Sequence, residues 1–435
     1  MNTLHFLPFR GLRYRFETLT DPELVLSPPY DVISPEKQQA LMQSSDHNMV
    51  HLDFGPQYTT DRETDNRYTR AGNLMKTWLA EQVLVQDDVP GYYVYGHRYP
   101  TVSGQVKMLI GIIGMVKLHA FEEGVVLPHE KTLPGPITDR FELMKATETS
   151  LSQVFTIFDD PQNVVENLVS AVMREPALLD TSYGDDRVQM WRLTDTHTVA
   201  QIQAFMTDKK LLIADGHHRY TTALHYRDYC RERGAGPDAE SEYGLVFAAN
   251  LHSAGLTIYP THRVCVDLTT FKESDFLAAV SPYFDTISAK NYEDVLKILP
   301  TVSPRVGLGV VLPSGNHAVL ALREDVDLSA FWPADTHPVL KVLEVFVLQQ
   351  IILVGILGLS LEDIAQQRHL RYIKETPKVE TLVAAGEATV GFVMNATRLT
   401  QMRDLCLAGV RMPQKSTFFY PKLVTGTVVA SVRPQ

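Results

Sequence analysis

Cysteine, basic excess and long apolar runs are all scarce in this 435-residue chain, and each scarcity removes a class of protein. Three cysteines, Cys230, Cys265 and Cys406, lie far apart in sequence. They build no disulfide framework and suit a reducing cytoplasm. Lys and Arg number 40 against 51 Asp and Glu, a net charge of −11. A sequence-independent nucleic-acid binder needs the opposite balance, so no nucleic-acid partner is expected. The most apolar stretch, Leu343 to Leu359, is broken by Glu344, Gln349 and Gln350 and is too short to span a bilayer. It reads as a buried helix, with no membrane partner. The opening MNTLHFLPFRGLRYRFE has no apolar core region, so no signal peptide is expected. His217 and His218 point in different directions, and no H-x-x-x-H or C-x-x-C spacing around them supplies further ligands for zinc. Lys415-Ser416-Thr417 lacks the glycines of a Walker A loop, and no adenine-binding motif, internal repeat or low-complexity linker is seen.

What is present is an ordinary globular composition, 45% hydrophobic and 21% charged. The length exceeds one core, so two or three domains are expected. The chain is organised around LLIADGHHRYTTALHY, residues Leu211 to Tyr226. Leu211 to Ala214 reads as a short buried strand. Asp215-Gly216 is a turn pair, with Gly216 free to take φ > 0. His218 to Arg231 reads as a helix with Tyr220, Ala223 and Leu224 inward. A strand, a glycine turn and a helix start make an anion site, because the first N–H groups of the helix are unpaired and its dipole is positive there. His217, His218 and Arg219 add cations at the end where an isolated helix disfavours them, a cost that a bound anion offsets. A carboxylate, Asp215, beside three potential cations implies a metal or a proton.

Around this centre, Ser27-Pro28-Pro29-Tyr30-Asp31 is rigid extended chain, read either as a structural turn or as a holder of Tyr30 and Asp31 at a pocket mouth. Ser34 caps the next helix with Pro35 at its first position. Asp61 to Gln82 reads as an amphipathic helix, and Tyr92 to Tyr99 with Val106 to His119 as a hairpin turning at Ser103-Gly104. His129-Glu130-Lys131-Thr132 is a loop between prolines, rich in acid–base groups. Thr138 or Asp139 caps a helix from near Arg140. Pro338 to Val354 reads as one long helix. His262-Arg263 is either a salt-bridged turn or a pair of cations aimed at the anion pocket. Met412 to Gly426 concentrates donors: Lys415, Ser416, Thr417, Tyr420 and Lys422.

DGHHR, following a strand and opening a helix, resembles the phosphate-binding signature of free serine kinases in the ParB/sulfiredoxin-like superfamily. Together with PPYDVIS (Pro28 to Ser34) and MPQKSTFFYPK (Met412 to Lys422), it also resembles a bacterial family catalogued as domain of unknown function ten-fifteen. The resemblance implies a mixed α/β (α+β) fold: an N-terminal cap over 1–105, a ParB/sulfiredoxin-like catalytic core over 106–260 and a C-terminal α/β domain over 261–435. It implies a kinase-type phosphotransferase acting on a small hydroxyl metabolite, free L-serine giving O-phosphoserine, with ATP, ADP or pyrophosphate as donor. Glu130 matches the catalytic base by its order in the chain, with an insertion between it and Asp215. Asp215 assists catalysis and orients Mg²⁺. Gly216, His217, His218 and Arg219 cradle donor phosphates. Thr132, Arg140, Arg263, Lys415, Ser416, Thr417 and Lys422 are candidates to bind substrate or neutralise the transferring group, and Lys415 or Lys422 is expected to reach Gly216. The alternative is a non-catalytic nucleotide- or phosphometabolite-binding regulator. Expected partners are a serine-like acceptor and a phosphate donor, a homodimer is compatible, and the location expected is cytoplasmic.

Overall fold

A computed structural model describes residues 3–130 and 134–435. The fold is mixed α/β and divides into two compact units. The first comprises residues 1–128, 132–257 and 421–435; the second comprises 129–131 and 258–420.

Among the described residues, the first unit is built on a nine-stranded mixed sheet. Its order is Val126–Leu127, Leu211–Asp215, Val154–Phe158, Tyr243–Asn250, Val106–Lys117, Tyr92–Pro100, Asp186–Leu193, Leu179–Tyr183, with Phe6–Leu7 added beside Val106–Lys117. Leu211–Asp215 runs parallel to Val126–Leu127 and antiparallel to Val154–Phe158. Both its faces are covered, which is why four consecutive apolar residues are tolerated there. Leu211 and Ile213 are fully buried and join Val126, Phe158, Tyr220 and Val246 in one core. Each such side chain contributes about 1.5–3 kcal/mol by leaving water.

The first 105 residues are not a separate cap. A boundary at 105 cuts the hairpin in which Tyr93 to Pro100 pair continuously with Ile113 to Val106, and Phe6–Leu7 pairs Val116 and Met115. Backbone pairing therefore fuses the expected cap to the expected core. Ser34 caps helix Pro35–Ser44 through Lys37 N–H at 3.2 Å. The helix expected over 61–82 is Arg67–Ala80, starting where Asn66 accepts from the Tyr68 and Thr69 N–H groups. The helix expected near Arg140 begins earlier, at Pro134, since proline suits a first turn that needs no N–H.

The second unit carries a six-stranded antiparallel sheet among the described residues: Phe284–Ala289, His317–Leu322, Gly307–Val311, Val390–Val393, His262–Cys265, Leu370–Ile373. Helices Tyr292–Ile298 and Thr376–Ala384 supply Val295, Val379 and Val383 to its core. The long helix expected over 338–354 is broken. Pro338–Lys341 ends before Glu344–Val347, and the apolar run continues as a π-helical segment, Leu348–Ile356. Among the described residues no helix is long and apolar enough to cross a membrane.

Candidate active site

In the first unit, the register shifts between Ile213 and Asp215 against Val154–Phe158. Such a bulge re-aims the side chain at the strand end. Gly216 then takes φ +89° and caps helix His217–Arg231, whose inward residues include Tyr220, Ala223, Leu224 and Tyr226. A Cβ on Gly216 would stand 2.8 Å from Arg219 Nε. Glycine is required twice over, by backbone conformation and by the closeness of that guanidinium. Gly216→Ala is expected to cost about 1–2 kcal/mol of stability from the left-handed backbone and to push Arg219 off its partners. Urea unfolding alongside a pyrophosphate titration checks both; a variant matching the wild type in each would remove the glycine requirement.

Two cations converge on Asp215. Arg219 Nη2 lies 3.3 Å from Oδ2, and Lys422 Nζ lies 3.3 Å from Oδ1. Burial works against the Asp215 charge, but Lys422, Arg219 and His217 outweigh it and hold the carboxyl well below the usual carboxylate range. Arg219 Nη1 also donates to the Gln153 carbonyl. Of the two lysines expected near Gly216, Lys422 stands at its neighbour Asp215, while Lys415 is exposed in the second unit. His217 is buried and His218 half-buried at the helix start.

Among the described residues, no group of three or more His, Cys, Asp or Glu could hold a metal ion. Asp215 fits a resident Mg²⁺ poorly, since each oxygen faces a cation of the protein. A magnesium ion delivered already bound to donor phosphates needs no such site.

Arg140 is held mainly by carboxylates of the protein. Its Nη1 donates to the Asp53 carbonyl at 2.8 Å and Asp53 Oδ1 at 3.0 Å, and its Nε to Asp139 Oδ2 at 2.8 Å. The guanidinium covers the Tyr30 ring at 4.0 Å, and burial pushes the Tyr30 hydroxyl up to about 12. Tyr30 thus serves as a platform for Arg140, while Asp31 is exposed. Asp139 also takes Arg67 and the Tyr68 hydroxyl. Asp53, which no sequence motif marks, is 2% exposed. Burial raises its pKa against the pull of Arg140 and Arg219. With Arg140 and Arg219 it lines a cavity against the signature helix.

In the second unit, Glu130 Oε1 accepts from Ser416 N–H at 3.0 Å and Thr417 N–H at 3.3 Å. Lys415, just before them, has φ +56°, so successive N–H groups turn to one side as an anion nest that the carboxylate fills. His129, fully buried, bonds Thr417 Oγ1 at 2.8 Å through Nε2. Thr132 lies outside the described residues. Arg263 is buried, donates to the Thr261 and Lys415 carbonyls, and stands over the Tyr372 ring; burial pulls its guanidinium down to about 10.

His262 is no second cation. Its Nδ1 accepts from Met394 N–H at 3.1 Å, leaving Nε2–H to donate to Thr376 Oγ1. Burial, then Arg263, lower its pKa to about 4. Because the folded value lies below the unfolded one, near 6.5, this histidine contributes stability above pH 6.5 that is lost as pH falls toward 4. The loss amounts to on the order of 3 kcal/mol. Unfolding curves of wild type and His262→Asn from pH 7.5 to 4.5 are expected to converge as pH falls; parallel curves would reject the neutral histidine.

The sequence pattern of a family described as a protein of unknown function, DUF1015, matches residues 6–346. No curated protein matches the chain in sequence. Among solved structures, a conserved hypothetical protein from Pyrococcus furiosus is similar at TM-score 0.35 and 12% identity, covering 71% of this chain and 92% of that one. A free serine kinase in complex with AMP is similar at TM-score 0.36 and 12% identity, covering 71% and 89%. SbnI from Staphylococcus aureus, truncated at its C-terminus, is similar at TM-score 0.33 and 10% identity, covering 69% and 82%.

Proposed function

We propose that this chain, which belongs to the DUF1015 family, is a phosphotransferase that phosphorylates a small hydroxyl metabolite, free L-serine giving O-phosphoserine. One observation carries the reading: strand Leu211–Asp215, the left-handed Gly216 and the start of helix His217–Arg231 bring the first N–H groups of a helix together with Arg219 and Lys422. That is the donor set a phosphate needs. The string DGHHR, similar to the serine-kinase signature, supplies the reaction class.

Phosphoryl transfer asks for position and charge neutralisation more than covalent chemistry. In this reading the N–H groups after Gly216 hold the donor phosphates. Arg219 and Lys422 exchange part of their interaction with Asp215 for phosphate oxygens, and Asp215 returns them to register after release. Glu130, on chain order, takes the hydroxyl proton of the acceptor. The acceptor oxygen bonds to the terminal phosphorus as the bond to the departing phosphate breaks. ATP, ADP and pyrophosphate are the donors to compare.

A second reading, a phosphometabolite-binding regulator without turnover, draws on the same cradle and on the neutralisation of two of its cations by Asp215. A transfer assay separates them. Purified protein is incubated with L-serine and each donor in turn, and O-phosphoserine is followed by phosphorus NMR. Product with one donor is expected; phosphate binding with no transfer to serine or other hydroxyl acceptors would leave the regulator.

A further inference from the structure

We infer that Gln153 is a positioning residue that sets the spacing of the two basic side chains of the cradle, Arg219 and Lys422; the inference rests on the phosphate cradle of the phosphotransferase reading. Gln153 stands immediately before strand Val154–Phe158, which pairs with the signature strand Leu211–Asp215. It is 2% exposed, and a carboxamide is stable in such a place only where its polar atoms are used. Its main-chain carbonyl accepts from Arg219 Nη1. Its side-chain Nε2 donates to the Val428 carbonyl at 2.9 Å and to Thr427 Oγ1 at 3.3 Å. A main-chain carbonyl accepts and never donates, so the nitrogen of the carboxamide, not its oxygen, is the end that faces Val428.

One residue therefore holds both cations, by different means. Arg219 is held directly. Lys422 is held through the returning segment of the first unit, 421–435, to which Thr427 and Val428 belong. Main-chain bonds also fasten this segment at Thr425 to Ser27 and at Val429 to Leu12, which ties it to the start of the chain. Gln153 ties it instead to the residue that receives Arg219. Asp215 closes the circuit, since Arg219 Nη2 and Lys422 Nζ each stand 3.3 Å from one of its oxygens. Arg219, Gln153, residues 422–428 and Asp215 thus form a closed ring of contacts. In a ring, a shift at Thr427 and Val428 is passed on to Lys422. The two cations then lose the fixed separation with which they would meet the oxygens of one anion.

The test is a double-mutant cycle on the full chain, read by calorimetric titration with pyrophosphate and with ATP. Gln153→Met keeps the length of the side chain, leaves the main-chain carbonyl to Arg219 and removes the donor to Val428. It is expected to weaken anion binding roughly three- to tenfold. Lys422→Ala is expected to weaken it about tenfold or more. With both changes the loss is expected to match that of Lys422→Ala alone, because Gln153 acts through Lys422. A glutamine with a structural role only would lower the melting temperature and leave the affinity of the folded protein as it is, or add its loss in full to that of Lys422→Ala. Either result overturns the inference, and so does a wild type that binds neither anion. If Gln153→Met does not fold, Thr427→Val takes its place in the cycle with a smaller expected loss, about twofold, again absorbed by Lys422→Ala. Thr427→Ser, which keeps the hydroxyl, is expected to bind as the wild type does, and equal affinity of the Val and Ser variants overturns the inference. Binding is read without turnover. Coupled losses in a chain that forms no O-phosphoserine uphold the role of Gln153 and refute the kinase, while O-phosphoserine formation with additive losses does the reverse.

Discussion

Glu130→Gln is expected to lower turnover by a factor on the order of 10²–10⁴, the usual contribution of a positioned general base, while donor affinity stays at the wild-type value. The substitution preserves size and leaves an oxygen to accept from the Ser416 and Thr417 N–H groups, so the 414–417 loop should keep its shape. Donor affinity is unaffected because Gly216, Arg219 and Lys422 are untouched. Single-turnover kinetics with saturating donor separate this from a folding defect. If chemistry proceeds at the wild-type rate, the base is another group, and the role of Glu130 is to fill the nest at Ser416-Thr417. The structural interest is that the proposed base is bonded to backbone donors that would equally suit a phosphate.

The second large effect is expected at the cradle. Arg219→Ala removes a guanidinium that touches Asp215 and the Gln153 carbonyl. Losing one charge-assisted contact to phosphate costs about 1.5–3 kcal/mol, or roughly 10- to 150-fold in donor affinity. The helix should persist, since Tyr220 still bonds both the N–H and the carbonyl of His119. Calorimetric titration with ATP and with pyrophosphate gives the result, and unchanged affinity for both would remove the anion-cradle reading. Arg219→Lys restores charge but not the two-pronged geometry, and should recover only part of the loss.

Local features of this fold were legible from local sequence. Four apolar residues, an Asp-Gly pair and a helical pattern at Leu211 to Tyr226 reported a buried strand, a left-handed turn and an anion-favouring helix end, because those depend on neighbours in the chain. Asp53 was silent: it meets Arg140 across 87 residues, and HLD within NMVHLDFG has no spacing that tells of it. Arg140 looked like a free cation because one of its carboxylate partners, Asp53, is set by packing, although the other, Asp139, is its neighbour in the chain. The 105 boundary failed because strand pairing, which sequence composition does not show, carries the first hundred residues into the large sheet. The break in the 338–354 helix was hidden by its high apolar content, which reports burial but not whether the hydrogen bonds run to the fourth or the fifth residue. Lys422 was singled out among the donors of Met412 to Gly426 and, more than that, through the resemblance of MPQKSTFFYPK, as nothing in its spacing to Asp215 points there.

The chain leaves the first unit after residue 257 and re-enters it at residue 421. On a ribosome this order imposes a delay. At about 5–20 residues per second, Lys422 is made roughly ten to forty seconds after Asp215 completes the strand that opens the signature. Until then Asp215 lacks one of its two basic partners, and Thr149–Ser150 lacks the strand Ala430–Ser431 that pairs with it. The carbonyls of Val428 and Val429, which take Gln153 and Leu12, are absent as well. A nascent or prematurely terminated chain therefore holds an anion cradle that is incomplete and a bare strand edge that other chains could pair with. Emergence of residues 421–431, rather than collapse of the first half of the chain, is the event that closes both.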